Sequence, residues 1–256
     1  MVNFRFLNTG HIIALNPKAS KRTIQSRLQF LYQGGFLDRP ASQFSRYKPQ
    51  ENMVYSLGRK GAELLFPDDR IRLNKAKKNR EIKPIFLQHD LMISDFRVVL
   101  TLALSRKKGF SLMRWRQDYL GHKLYSDGNE YSVFPDAFFT IEDENDYLHY
   151  FLEADRSTME GKRVLDKMKG YWQMWRQESH KEKFDISVFR VLTVTISQQR
   201  KENLRHITKQ ANDNRSAGSE MFLFACKDDY NIEKPESVLK PIWHSSKDDK
   251  PHHLLE

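Results

Sequence analysis

The chain has 256 residues, 39% of them hydrophobic, which is enough for one large domain or two modest ones with separate cores. Its single cysteine, Cys226, excludes an intrachain disulfide and is the usage expected in a reducing, cytoplasmic compartment. The net charge of +10 is uneven: residues 1–84 hold 17 Lys/Arg against 6 Asp/Glu, whereas residues 85–256 hold 26 against 27. A polyanion is therefore the expected partner of the first third, with a merely solubilising basic surface as the alternative.

Phe4 to Leu15 predicts a short helix, ended by Asn16-Pro17. Ser20 is an N-cap residue for a second helix, in which Ile24, Leu28 and Leu31 follow i, i+4, i+7 as an apolar stripe. Lys21, Arg22, Thr23, Gln25, Ser26 and Arg27 surround that stripe, and Gly34-Gly35 ends the helix. A strand from Phe36, a polar loop with Arg46 and Lys48, a strand over Met53–Leu57 and a helix over Gly61–Phe66 follow. This order is that of a winged helix-turn-helix over residues 1–66. Its second helix would enter the major groove of double-stranded DNA, and Arg46 and Lys48 would form the wing. A protein-interaction module is the alternative. Residues 67–84 carry ten charges in eighteen positions and read as a basic linker.

Residues 85–256 predict a mixed α/β sandwich. A long helix runs over Ile85–Arg106, with Phe86, His89, Ile93, Phe96, Leu100 and Ala103 on one face. Strands are expected at Phe110–Trp115, Tyr131–Ile141 and Tyr147–Ala154, with a hairpin near Asp127-Gly128. An aromatic-rich helix follows over Ser157–Glu178, then a strand at Val188–Ile196, a helix at Gln199–Ala211 and a strand at Met221–Cys226. The tail beyond Lys227 is polar apart from Pro241-Ile242-Trp243, and His252-His253 reads as a frayed end. The longest apolar stretch, Phe96–Leu104, is too short to cross a membrane, and no secretory leader pattern opens the chain.

Two segments carry candidate chemistry. Asp136, after Pro135, starts one strand; Glu153 and Asp155 end the next, and strand periodicity points both to one face. A hairpin through the acidic loop Glu142–Asp146 would bring the three carboxylates together, which is costly without a cation between them. Mg²⁺ (or Mn²⁺), held by Asp136 and Glu153, fits such oxygen donors and would polarise a phosphodiester. The alternative is structural, with Asp155 capping the next helix or pairing with Arg156 or Arg163. His89 reads as a core histidine, Asp95 as a further acidic candidate, and Tyr171, Trp172 and Trp175 as core aromatics in preference to a base-stacking stripe. Phosphate-loop, zinc and serine-hydrolase motifs are absent from the sequence.

Pro135-Asp136 followed by Glu153-Ala154-Asp155 resembles the PD-(D/E)XK nuclease superfamily, with Asp155 standing where that pattern has Lys. The resemblance makes a lysine of the next helix, Lys162, Lys167 or Lys169, the substitute, with Lys167 first. The whole chain is similar to the replication-relaxation family of plasmids and mobile elements. Val54–Ala62, Pro135–Ala137, Phe151–Thr158, Lys167–Tyr171, Phe189–Thr195 and Pro241–Trp243 carry that likeness. It implies an N-terminal winged helix joined to a nuclease-like domain acting in replication or relaxation. The catalytic expectation is then Asp136 and Glu153 as metal ligands, Asp155 completing the shell or orienting water, and Lys167 facing the scissile phosphate. The rival is a regulator with a degenerate nuclease-like domain. Reading a palindrome would require a homodimer, for which no heptad repeat is present.

Overall fold

The computed structural model describes residues 3–45, 52–117, 120–126, 128–144, 146–212 and 218–256, with only the backbone of Ser45 and Arg72. It is a mixed α+β chain in two compact units, Met1–Val98 and Val99–Glu256. Among the described residues, no helix is long and apolar enough to cross a membrane.

The first unit contains β1 (Leu7–Asn8), α1 (Thr9–Ala14), α2 (Lys21–Gln33), β2 (Leu37–Asp38), α3 (Ser42–Ser45), β3 (Val54–Leu57), α4 (Arg59–Leu65) and α5 (Arg70–Arg80). The next helix, α6 (Pro84–Ser105), carries the chain across the division. The strands form an antiparallel sheet in the order β1-β3-β2. Side-chain caps set where the helices begin. Asn8 accepts the His11 N–H at 2.8 Å, so α1 starts at Thr9, and Leu7 and Asn8, expected within the helix, form β1. Ser20 accepts the Thr23 N–H at 3.1 Å and caps α2 as its sequence predicts.

Ile24 and Leu28 pack with Leu37 and Tyr55, while Leu31, expected on the same stripe, stays 42% exposed. A second cluster joins Phe6, Val54, Ile82 and Leu87. Residues 67–84, expected as a linker, contain the helix α5, and the division between units falls at Val98/Val99. That helix was hidden because it has almost no apolar face; polar contacts fix it instead. Phe86, assigned to the inner face of α6, is exposed in its first turn, whereas Ile93, Phe96, Leu100 and Ala103 are buried.

The second unit is built on β4 (Ser111–Arg116), β5 (His122–Ser126), β6 (Asn129–Val133), β7 (Ala137–Glu142) and β8 (Tyr147–Asp155). The helices α7 (Gly161–Arg176) and α8 (Ser179–Phe184) lead to β9 (Arg190–Thr195), α9 (Gln198–Thr208) and β10 (Phe222–Cys226). Two further strands, β11 (Trp243–Ser245) and β12 (Pro251–His252), end the chain. Seven strands make one mixed sheet in the order β12-β11-β10-β9-β8-β7-β4. Within it β4, β7 and β8 run antiparallel, and β8, β9 and β10 run parallel through the crossovers α7 and α9.

One face of the sheet buries Phe138, Phe151, Val191, Phe222 and Phe224 against Val164, Met168, Tyr171 and Met174 of α7 and Leu204 of α9. Each such burial is worth roughly 1.5–3 kcal/mol. The hairpin β5–β6 packs on α7, and Gly170 permits it: a Cβ there would meet Val133 Cγ2 at 2.8 Å. The single strand expected over Tyr131–Ile141 is two strands, β6 and β7, interrupted at Phe134-Pro135-Asp136. Proline locks φ and lacks the N–H that a continued ladder would need. The tail also differs from its reading as polar coil. Trp243 is wholly buried and donates its indole N–H to Val238 O at 2.9 Å, and His252, in β12, pairs with Asp248 at 3.2 Å.

Candidate functional site

The register of β7 against β8 sets Ala137 opposite Leu152, which puts Asp136 beside Glu153. Asp136 is clamped there. Its own N–H donates to Leu152 O at 3.0 Å, and the Ala154 N–H donates to Asp136 Oδ2 at 2.8 Å. Glu153, one residue before Ala154, points to the face covered by α7 and is 5% exposed.

A helical repeat of four residues stacks Lys167 and Tyr171 on one side of α7. Lys167 Nζ donates to Glu153 Oε2, and the Tyr171 hydroxyl donates to Glu153 Oε1. Of the three lysines expected as substitutes, Lys167 makes this pair; Lys162 is exposed and Lys169 half-buried. Lys167 is itself mostly buried, with 16% of its side chain exposed.

Burial pushes the Glu153 carboxyl up to about 7, an effect that Lys167 opposes and Asp136 reinforces. Burial alone would lower Lys167, but Glu153, Asp136 and Asp155 together outweigh it and hold the ammonium above its ordinary value. Burial and the adjacent carboxylate push the Tyr171 hydroxyl well above its usual range, so it stays a donor.

Asp155 lies on the same face but is engaged elsewhere. Arg200, from the first turn of α9, grips it with Nε to Oδ2 at 2.8 Å and Nη2 to Oδ1 at 3.1 Å. Thr195 Oγ1 and the Ser157 N–H add bonds of 3.2 Å each to Oδ2. Arg200 Nη2 also donates to Met159 O at 2.7 Å. These bonds fasten the turn between β8 and α7, where Ser157 adopts a left-handed φ of 59°, rare for a residue with a Cβ. The partners foreseen for Asp155, Arg156 and Arg163, are replaced by Arg200, and Asp155 does not cap α7, which begins at Gly161 after Glu160; its bond to the Ser157 N–H lies in the turn before that helix.

The three-carboxylate convergence therefore reduces to a pair. Among the described residues there is no group of three His, Cys, Asp or Glu able to hold a metal. Asp136 and Glu153 still form a donor set suited to Mg²⁺, which often takes only one or two protein carboxylates and completes its shell from water and phosphate. Thr193, in register with Glu153, adds a buried hydroxyl with no hydrogen-bond partner among the described residues, a spare polar group beside the pair. Asp95 is occupied in the first unit, where its Oδ1 lies 3.2 Å from His11 Nε2.

In the first unit, Lys21, Arg22, Thr23, Gln25, Ser26 and Arg27 are all exposed around the buried Ile24 and Leu28. Thr23 also shares a 2.9 Å hydroxyl contact with Ser20, which makes it part of the cap. Arg46 and Lys48, expected in the wing, lie outside the described residues.

Tyr171 and Arg200 are site residues that sequence reasoning missed. Tyr171 reads as a core aromatic and is wholly buried in the core, and its further contact with Glu153 is signalled by its place four residues after Lys167. Arg200 reaches Asp155 across 45 positions, and no local pattern marks such a contact.

No curated protein and no solved structure matches the chain. A family model described as replication-relaxation matches residues 1–187, which takes in the first unit and the second through β8, α7 and α8. The chain belongs to the replication-relaxation family.

Proposed function

We propose that this protein binds double-stranded DNA through its first unit and cuts it with a Mg²⁺-dependent (or Mn²⁺-dependent) site in its second, as an endonuclease or nickase serving replication or relaxation of a plasmid or mobile element. The observation that carries this reading is the meeting of Asp136, Glu153 and Lys167 at adjoining strand ends, with Lys167 supplied by α7. The order α6, β4, β7, β8, α7, β9 supports a PD-(D/E)XK-like core: three antiparallel strands, a crossover helix and a parallel fourth strand. The order of α1, α2, β2, β3 and α4 supports a winged helix with α2 as its reading helix.

In this mechanism Asp136 and Glu153 supply the oxygens that hold the cation. A cation held by them would polarise the phosphodiester as a Lewis acid. Lys167 holds Glu153 in place and presents positive charge where the pentavalent phosphate gains negative charge. Tyr171 fixes the second oxygen of Glu153. Asp155 acts through Arg200 on the β8–α7 turn and takes no part as a ligand.

The test is supercoiled plasmid carrying the protein's own locus, incubated with Mg²⁺ or Mn²⁺, with EDTA, and with Asp136→Ala. Metal-dependent nicking that the variant loses, while it still shifts labelled DNA, supports the proposal. One observation favours a second reading, a DNA-binding regulator with an inactive nuclease-like unit: Lys167 and Tyr171 already occupy both oxygens of Glu153. An intact plasmid under every condition with a retained shift selects that reading.

A further inference from the structure

We propose that α5 is a second DNA-contacting element, a stripe that binds the phosphate backbone while α2 reads bases; the inference rests on the DNA-binding reading above. Helix α5 runs Arg70-Ile71-Arg72-Leu73-Asn74-Lys75-Ala76-Lys77-Lys78-Asn79-Arg80, with six cations and no carboxylate in eleven residues. In sequence it reads as part of a basic linker.

The helix is fixed along its inner line and at its C-terminal end. Ala76 and Asn79 are buried, and Asn79 Oδ1 accepts from Arg5 Nε at 2.9 Å. Arg80 pairs with Asp38 at 3.2 Å, and its carbonyl accepts the Ala41 N–H at 2.8 Å. On the opposite side, Arg70, Asn74, Lys77 and Lys78 fall at i, i+4, i+7 and i+8. All four are exposed. They make a single polar stripe of ~12 Å at 1.5 Å rise per residue, the axial span of about three phosphates of one DNA strand.

A merely solvated face accounts for this stripe poorly. Lys77 and Lys78 suit the negative end of the helix dipole, but Arg70 sits at the positive end, where a cation is disfavoured. Among the described residues, Arg70, Lys77 and Lys78 have no ion-pair partner. The carboxylates nearest in sequence, Asp68, Asp69 and Glu81, lie beyond the two ends. Cations held on one face of a helix without forming an ion pair repel one another, and a polyanion relieves that repulsion. The side-chain types fit phosphate more than base edges: Lys and Asn position a protein on the backbone. A membrane-surface helix would need a broad apolar face beside its cations, and here Ile71 is the exposed large apolar residue of the helix.

The test uses the full chain and a duplex from its own locus, with the dissociation constant measured over a salt series. Arg70→Gln/Lys77→Gln/Lys78→Gln should flatten the slope of log Kd against log salt by about two to three, at about 0.9 per phosphate contact. Preference for the duplex over a scrambled one should be unchanged. Lys77→Arg/Lys78→Arg should keep the wild-type slope, and circular dichroism should show the helix intact in both variants. Wild-type binding with an unaltered slope in the triple Gln variant overturns the proposal. So does an unaltered slope with lost binding to phosphatidylserine vesicles, which would assign the stripe to a membrane. Failure of the wild type itself to bind any duplex overturns the DNA-binding reading beneath it, and is seen before any variant is made.

Discussion

Lys167 and Glu153 form a buried ion pair fourteen positions apart in the chain, one on a helix and the other at the end of a strand. Under the nuclease reading, Lys167 is the lysine that the strand pattern lacks. Lys167→Met keeps the length of the stem and removes the charge. Under the nuclease reading it should cut plasmid nicking by at least ~100-fold, the usual cost of losing a group that stabilises transition-state charge. The shift of labelled duplex should be unaffected, because α2 and α5 belong to the first unit. Nicking at the wild-type rate would remove Lys167 from the chemistry.

Glu153 should also make stability depend on pH. Its carboxyl rises from an ordinary 4.5 to about 7 in the folded chain, chiefly through burial. A raised value means that the folded state holds the proton more tightly than the unfolded one. The resulting stabilisation is full below about 4.5 and is lost as pH climbs through about 7. Glu153→Gln removes the titration, and its amide oxygen still accepts a hydrogen bond. Urea denaturation at pH 5 and pH 8 should show the variant gaining on the wild type at the higher pH. A difference between the two proteins that is the same at both values would mean that Glu153 is not raised.

What was legible in the sequence followed from local rules. Ser20 announced α2, the apolar run of β9 announced a central strand, and Pro135-Asp136 with Glu153 marked the adjoining strand ends. What was not legible depended on contacts distant in sequence or on elements without an apolar period. Helix α5 carries charge on most of its surface, so hydrophobic periodicity had nothing to report. The strands β11 and β12 are three and two residues long and are held by a buried Trp243 instead of by an alternating pattern. Asp155 shows the limit most clearly. Its strand position placed it correctly on the face of Glu153, but the partner that decides its role sits on α9.

That role supplies a third prediction. With 16% and 11% of their side chains exposed, Arg200 and Asp155 form a largely buried pair whose loss leaves an unpaired charge. Asp155→Ala and Arg200→Ala should each destabilise the second unit by about 2–4 kcal/mol, toward the range for breaking a buried pair. The double variant should cost clearly less than the sum, with a coupling of about 1–3 kcal/mol in a double-mutant cycle. Both single variants should loosen the Ser157 turn and disturb Lys167 alike, so nicking should fall to a similar extent in each. A metal ligand would behave otherwise. Asp155→Ala would then abolish nicking with little loss of stability, and Arg200→Ala would not reproduce it. Denaturation and nicking measured on the same four proteins separate the two roles, because a strut couples Asp155 to Arg200 in both assays and a ligand does not.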